Sequence, residues 1–165
     1  MLDVLAEVER ELPNLLRTEE GWQTLAINYH PPHVERVVRR WNDYRIYLHR
    51  ILPCTSEEAL FHPHPWPSAM RILSGVYEMA VGYGPGSEPP PVAAKLIASG
   101  DLCYEMTDPD SWHYVRPIDD IAMTIMVTGP PWDRWAPGAN RNLRPLADTA
   151  RNDILEFFRD RYPIS

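Results

Sequence analysis

The sequence predicts a mainly β fold: an antiparallel barrel or sandwich of short strands, with helices packed on its outside. Three observations carry this. Eighteen prolines stand against eight glycines, and proline breaks helix interiors but is tolerated at sheet edges and corners. Between residues 44 and 127, short apolar runs alternate with clusters of Pro, Gly, Asp and Ser, the punctuation of an all-β domain. The two ends of the chain carry apolar residues at helical spacing.

The 165 residues suit one domain with a core, and 44% hydrophobic against 24% charged residues is globular composition. Leu2, Leu5, Val8, Leu12 and Leu15 recur at three- and four-residue steps among acids and arginines, which predicts an amphipathic helix from Leu2 to Arg17, interrupted near Pro13. A second short helix is expected from Pro31-Pro32 through His33 to Trp41, because proline is at home in a first helical turn. His30 and His33 are then exposed imidazoles at a helix start rather than a metal pair. Residues 1–43 are thus expected to form a helical extension.

Barrel strands are expected within residues 44–135. The runs are Tyr44 to Leu52, Met70 to Val81, Val92 to Ile97, Leu102 to Met106, His113 to Val115 and Ile121 to Val127. Turn clusters separate them at Pro53 to Ser56, Gly82 to Pro91, Ser99 to Asp101, Thr107 to Ser111 and Pro117 to Asp120. Residues 136–165 complete the single domain as loop and helix. That helix runs from Asp148 to Arg161 and buries Ile154, Leu155, Phe157 and Phe158.

Composition excludes several functions. A formal net charge of −7, from 16 basic and 23 acidic side chains, opposes the phosphate neutralisation that nucleic-acid binding requires. No apolar run approaches the ~20 residues that cross a bilayer, and the first ten residues lack a signal-peptide core. Cys54 and Cys103 make neither a disulfide scaffold nor a zinc spacing. A cytoplasmic protein without nucleic-acid or membrane partners is the expectation.

The chemistry is expected at Phe61-His62-Pro63-His64-Pro65-Trp66-Pro67-Ser68. In a strand, residues i and i+2 share a face, so His62 and His64 would present two imidazoles side by side. Neutral imidazole suits iron, zinc, copper or nickel. A stiff surface loop is the competing reading of the histidine–proline alternation. Gly75 and a third histidine, His113, extend the pattern.

On these residues the sequence resembles the cupin superfamily. A cupin's first motif, a His-x-His pair and a later glycine, is matched by His62-Pro-His64 through Gly75. Its second, a Gly-led strand, a proline turn and a lone histidine, is matched by Gly100 to Tyr104 and Pro109 to His113. The Pro65-Trp66 step and Val127 to Pro131 are similar to small bacterial cupins. The resemblance covers Tyr44 to Trp135 and implies a jelly-roll β-barrel with flanking N- and C-terminal helices, metal ligands His62, His64 and His113, and a possible homodimer. Two features depart from it. The acidic ligand's place falls at Ser68 or Ala69, with Glu78 a poor substitute, and the second motif lacks its Pro-x-Gly turn and the following asparagine. Three histidines without a carboxylate are similar to the thiol dioxygenases, which use ferrous iron. That branch's Ser-His-Tyr triad aligns with Thr124, Met126 and Thr128, so only the Thr124 hydroxyl survives and a cysteine dioxygenase is not expected.

Three neutral imidazoles leave a divalent ion's charge uncompensated, which favours an anionic chelating ligand. The expectation is a metal-dependent enzyme: a dioxygenase-like non-haem iron oxygenase acting on a small carboxylate or thiol. Fe(II) is the expected metal, with Zn, Ni or Mn as alternatives. A non-catalytic metal- or small-molecule-binding cupin and a metal-assisted isomerase or lyase are the alternative functions. In the strand Tyr44 to Leu52, Arg45, Tyr47, His49 and Ile51 would face the barrel. That places Arg45 and His49 as anion and proton partners, unless both are surface residues of an edge strand. Met70, Ile72, Val115 and Met126 are expected to fill the barrel. Trp66, Trp112, Trp132 and Trp135 are expected in core or rim packing, and Arg134, Arg141 and Arg144 on a solvated or interface surface.

Overall fold

The computed structural model describes residues 1–134 and 143–164; Trp135 and Arg141 lie outside them. Helix α1 (Leu2–Leu15) opens the chain, and ten strands follow. These are β1 (Gln23–Ile27), β2 (Val34–Trp41), β3 (Tyr44–Ile51), β4 (His62–Pro63), β5 (Ser68–Ser74), β6 (Val76–Tyr83), β7 (Ala94–Ser99), β8 (Cys103–Met106), β9 (Ser111–Pro117) and β10 (Ala122–Thr128). Helix α2 (Asp148–Arg161) closes the fold. A six-stranded antiparallel sheet, ordered β1-β2-β3-β10-β5-β8, faces a four-stranded one, ordered β4-β9-β6-β7.

Both helices cover the outer face of the larger sheet. Leu5, Val8 and Leu12 of α1 and Ile154, Leu155 and Phe158 of α2 pack with Val37, Ile46, Leu48, Ile125 and Val127. This cluster is the main core. The same strands turn their alternate residues into the barrel, so the large sheet is apolar on both faces, as expected where both sides are covered.

That double coverage explains the main correction. Residues 34–41 form strand β2 and not a helix, and with β1 they belong to the six-stranded sheet. The barrel therefore starts at Gln23, and only α1 of the expected 1–43 helical extension is helical. Val34, Val37, Val38 and Trp41 fall at i, i+3, i+4 and i+7, a helical stripe by spacing. In the strand they divide between two faces, Val38 packing inside with Tyr47 and Val37 outside in the helix-backed core. A two-residue turn at Asn42-Asp43, with Asn42 at φ 52°, joins β2 to β3.

Helix α1 also runs through Pro13 without interruption. Proline there removes only a last-turn hydrogen bond, close to where the helix ends anyway. The run Met70 to Val81 is two strands divided at Gly75, where the chain passes from the larger sheet to the smaller. Among the described residues no helix is long and apolar enough to cross a membrane.

Candidate metal centre

His62 begins β4 and pairs in register with His113 on β9, while His64 lies just past the two-residue strand, before the turn into β5. Ring centroids are 5.4 Å apart for His62 and His64, 5.1 Å for His62 and His113 and 4.6 Å for His64 and His113. One ring nitrogen from each lies within 4.8 Å of the others. The far nitrogens of two of the three rings are engaged. His62 Nδ1–H donates to the Leu60 carbonyl at 2.8 Å, which leaves Nε2 as its lone-pair nitrogen. His64 Nδ1 shares a hydrogen bond of 3.0 Å with the buried Ser68 hydroxyl.

Burial keeps all three rings neutral. It pushes the His62 pKa down to about 4, and holds His64 and His113 well below the ordinary imidazole value. His64 Nε2 and His113 Nε2 lie 3.0 Å apart. Without metal a shared proton holds that contact. Two neighbouring ligands each at ~2.1 Å from one ion would be separated by about the same distance. The donor set therefore fits a divalent metal: neutral, imidazole-only, with two rings oriented through their second nitrogens.

The three rings line one wall of a cavity of ≈ 410 Å³, within the range of small-molecule sites. Facing them, the larger sheet contributes a transverse polar row. Arg36 on β2 is in register with His49 on β3, and His49 with Thr124 on β10. His49 Nδ1 is 3.2 Å from Thr124 Oγ1, and burial, then the charge of Arg36, hold the His49 pKa well down. The barrel-facing set of β3 is the expected one, since Arg45, Tyr47, His49 and Ile51 all line the cavity. Arg45 itself is exposed and lies opposite Arg40. Four strand residues separate it from His49, ~13 Å along β3, which puts it at the rim. Trp66 lies 4.9 Å from His64 and 6.3 Å from Tyr47 by ring centroids. Met70, Met126 and Val115 line the cavity, while Ile72 packs with Tyr77 and Ala122.

Glu78 stands away from the three histidines, on the outer face of the small sheet, bonded to Tyr114 and Arg116. Other expectations need correction. His30 is not at a helix start; it is half-buried, lines the cavity and lies 6.1 Å from His62 by ring centroids. Arg134 is not on a solvated surface: it lines the cavity, stacks on Trp112 and bonds Asp110 and Gly84. Arg144 is exposed, and Trp112 is buried. Sequence reasoning missed Arg36, because a helix over 33–41 gave it no direction. The β-branched Val34, Val37 and Val38 around it were the available signal.

No protein-family model and no curated protein matches the sequence. Solved structures do. The crystal structure of Fe(II)-HppE with the alternative substrate (S)-1-HPP superposes with a TM-score of 0.55 at 11% identity, covering 67% of this chain and 57% of that one. Hydroxypropylphosphonic acid epoxidase from S. wedmorenis gives 0.52 at 14% identity, covering 67% and 56%. The chain thus spans little more than half the length of these proteins. Topology and likeness together define the class: this is a cupin-type barrel with flanking helices. Within that class, the chain is one whose candidate metal centre is three histidines on the wall of a mostly apolar cavity.

Proposed function

We propose that the protein is a metal-dependent cupin enzyme, a non-haem iron oxygenase acting on a small anionic substrate that carries a carboxylate or thiol. The observation that carries this reading is the convergence of His62, His64 and His113 inside a cavity whose opposite wall holds a guanidinium. The solved structure named Fe(II)-HppE, and the name hydroxypropylphosphonic acid epoxidase, describe an iron-loaded protein and an enzyme of an anionic phosphonate. Both support the reading by analogy of fold.

His62, His64 and His113 would hold the metal, and ferrous iron there supplies Lewis acidity and one-electron chemistry toward dioxygen. The chain's own groups do the rest. Arg45 draws anions toward the mouth. His49, oriented by Thr124, positions the substrate's negative group through Nε2. Trp66, Met70 and Met126 keep bulk water from the reacting centre.

Elemental analysis of protein purified without chelators tests this, followed by anaerobic Fe(II) loading and oxygen uptake with small thiols and carboxylic acids. About one iron per chain, substrate-dependent oxygen consumption and loss of most metal in His113→Ala are expected. Zinc or nickel without oxygen uptake would replace the oxygenase by a metal-assisted isomerase or lyase. Protein that binds no divalent ion would leave a ligand-binding module.

A further inference from the structure

Arg36 differs from the other half-buried arginines, which are all bonded to a carboxylate or a carbonyl. Arg134, in the same cavity, gives Nη1 to Asp110 and Nη2 to the Gly84 carbonyl. Arg39 donates to the Leu15 carbonyl, and Arg50 pairs with Glu35 and Asp153. Arg36 has no carboxylate or carbonyl partner among the described residues, and its Nε is buried without a hydrogen bond. Among the described residues its guanidinium lies over the Tyr47 ring, 5.6 Å from Cζ to the centroid. That contact orients the guanidinium plane but satisfies none of its N–H groups. Desolvation pulls its pKa below the usual guanidinium value, yet arginine stays charged at any physiological pH.

Arg36 is half-buried, and a partly desolvated cation without a carboxylate costs stability unless something anionic completes it. The neighbouring strand carries a second orphan. His49 Nε2 is also buried without a partner, and a Thr124 hydroxyl donating to Nδ1 would make that Nε2 an N–H donor. Arg36 and His49 are register partners on β2 and β3, so their side chains stand side by side on the wall facing the three histidines. Leu25 on β1 ends this row, and the lining on either side of it is apolar: Met70 and Met126 to one side, Ile27 and Ile51 to the other.

We infer that Arg36 and His49 form the recognition site for a carboxylate, borne by a small ligand whose apolar body lies along this lining. One guanidinium and one neutral N–H match a planar monoanion, with the fork of Arg36 across its two oxygens. The inference deepens the proposed function by naming the substrate's handle, and rests on that reading for the placing of the ligand's other end near the histidines.

The test uses the full chain with its metal content measured in every sample. Calorimetric titration with butyrate, phenylacetate and 3-phenylpropionate is compared with titration by the corresponding amides. Wild type is expected to bind carboxylates in preference to amides. Arg36→Gln should lose that affinity by roughly 10- to 100-fold, as for a charge-assisted hydrogen bond, with metal content unchanged. Arg36→Lys, which keeps charge without the fork, should lose about tenfold. A structural arginine would give the opposite stability result. Removing an unpartnered, partly desolvated charge should raise the ligand-free Tm of Arg36→Gln by about 2–4 °C. Equal carboxylate binding by Arg36→Gln, no carboxylate binding by wild type, or a lowered ligand-free Tm overturns the inference. Absence of metal from wild type overturns the oxygenase reading instead, and leaves the Arg36 titrations to be judged alone.

Discussion

Ser68 is one of the two positions, with Ala69, where the cupin pattern would place a carboxylate ligand, and its hydroxyl turns to His64 Nδ1 at 3.0 Å. A hydroxyl in that place keeps the candidate centre neutral, so the ligand set cancels none of a divalent ion's charge. It also fixes the plane of one imidazole. Ser68→Ala should therefore leave the fold intact but weaken metal affinity by ~10- to 100-fold, the usual effect of losing a partner behind a ligating histidine; competition with a chromophoric chelator measures it. The histidines themselves were legible, because His62 and His64 are two residues apart and His113 follows a proline turn. Arg36 was not. A residue's chemistry shows in the sequence only once the direction of its side chain is known, and that direction turned on whether residues 34–41 were helix or strand.

The element that positions the two walls is the break at Gly75. It adopts φ 84°, and a Cβ there would lie 2.7 Å from the Ile121 carbonyl and 2.9 Å from Ala122 Cα. Both neighbours are backbone and cannot rotate away. Gly75→Ala should cost about 1–3 kcal/mol through the left-handed backbone alone, and more through the clash, read as a fall in the denaturation midpoint. Strands with a single covered face, or with Pro, Gly and Asp at both ends, were foreseeable in this way. In the double-covered sheet β3, β5, β8 and β10 showed as punctuated apolar runs, but β2 did not, since burial on both faces erases the period-two alternation that announces a strand. Strand β1 escaped notice altogether, its run Gln23–Ile27 being short and only partly apolar.

At the scale of the whole molecule, four cavity-lining histidines, three buried and His62 half-buried, shape the response to acid. Burial lowers the pKa of His49, His62, His64 and His113, that of His62 to about 4. The unfolded chain binds their protons near pH 6.5 and the native protein does not. Native stability is therefore full above pH ~6.5 and declines as pH falls toward 4. The slope is up to about 1.4 kcal/mol per pH unit for each histidine that titrates only in the unfolded chain. Chemical denaturation of chelator-treated protein at pH 7.5, 6, 5 and 4 should show that decline, and a flat profile would contradict the buried neutral state. The two-layer architecture and both terminal helices were readable from punctuation and periodicity. The pairing of the two layers into one cavity was not, because it rests on contacts between residues far apart in sequence.

His62 and His113 meet across β4 and β9, a ladder only two residue pairs wide. Any continuous stretch holding the whole histidine set must include β5 through β8. The loop-closure entropy of that stretch has to be met before the three nitrogens can gather. No local segment can preassemble them, so the grip on an ion comes into being with the finished tertiary structure and is lost when the barrel opens.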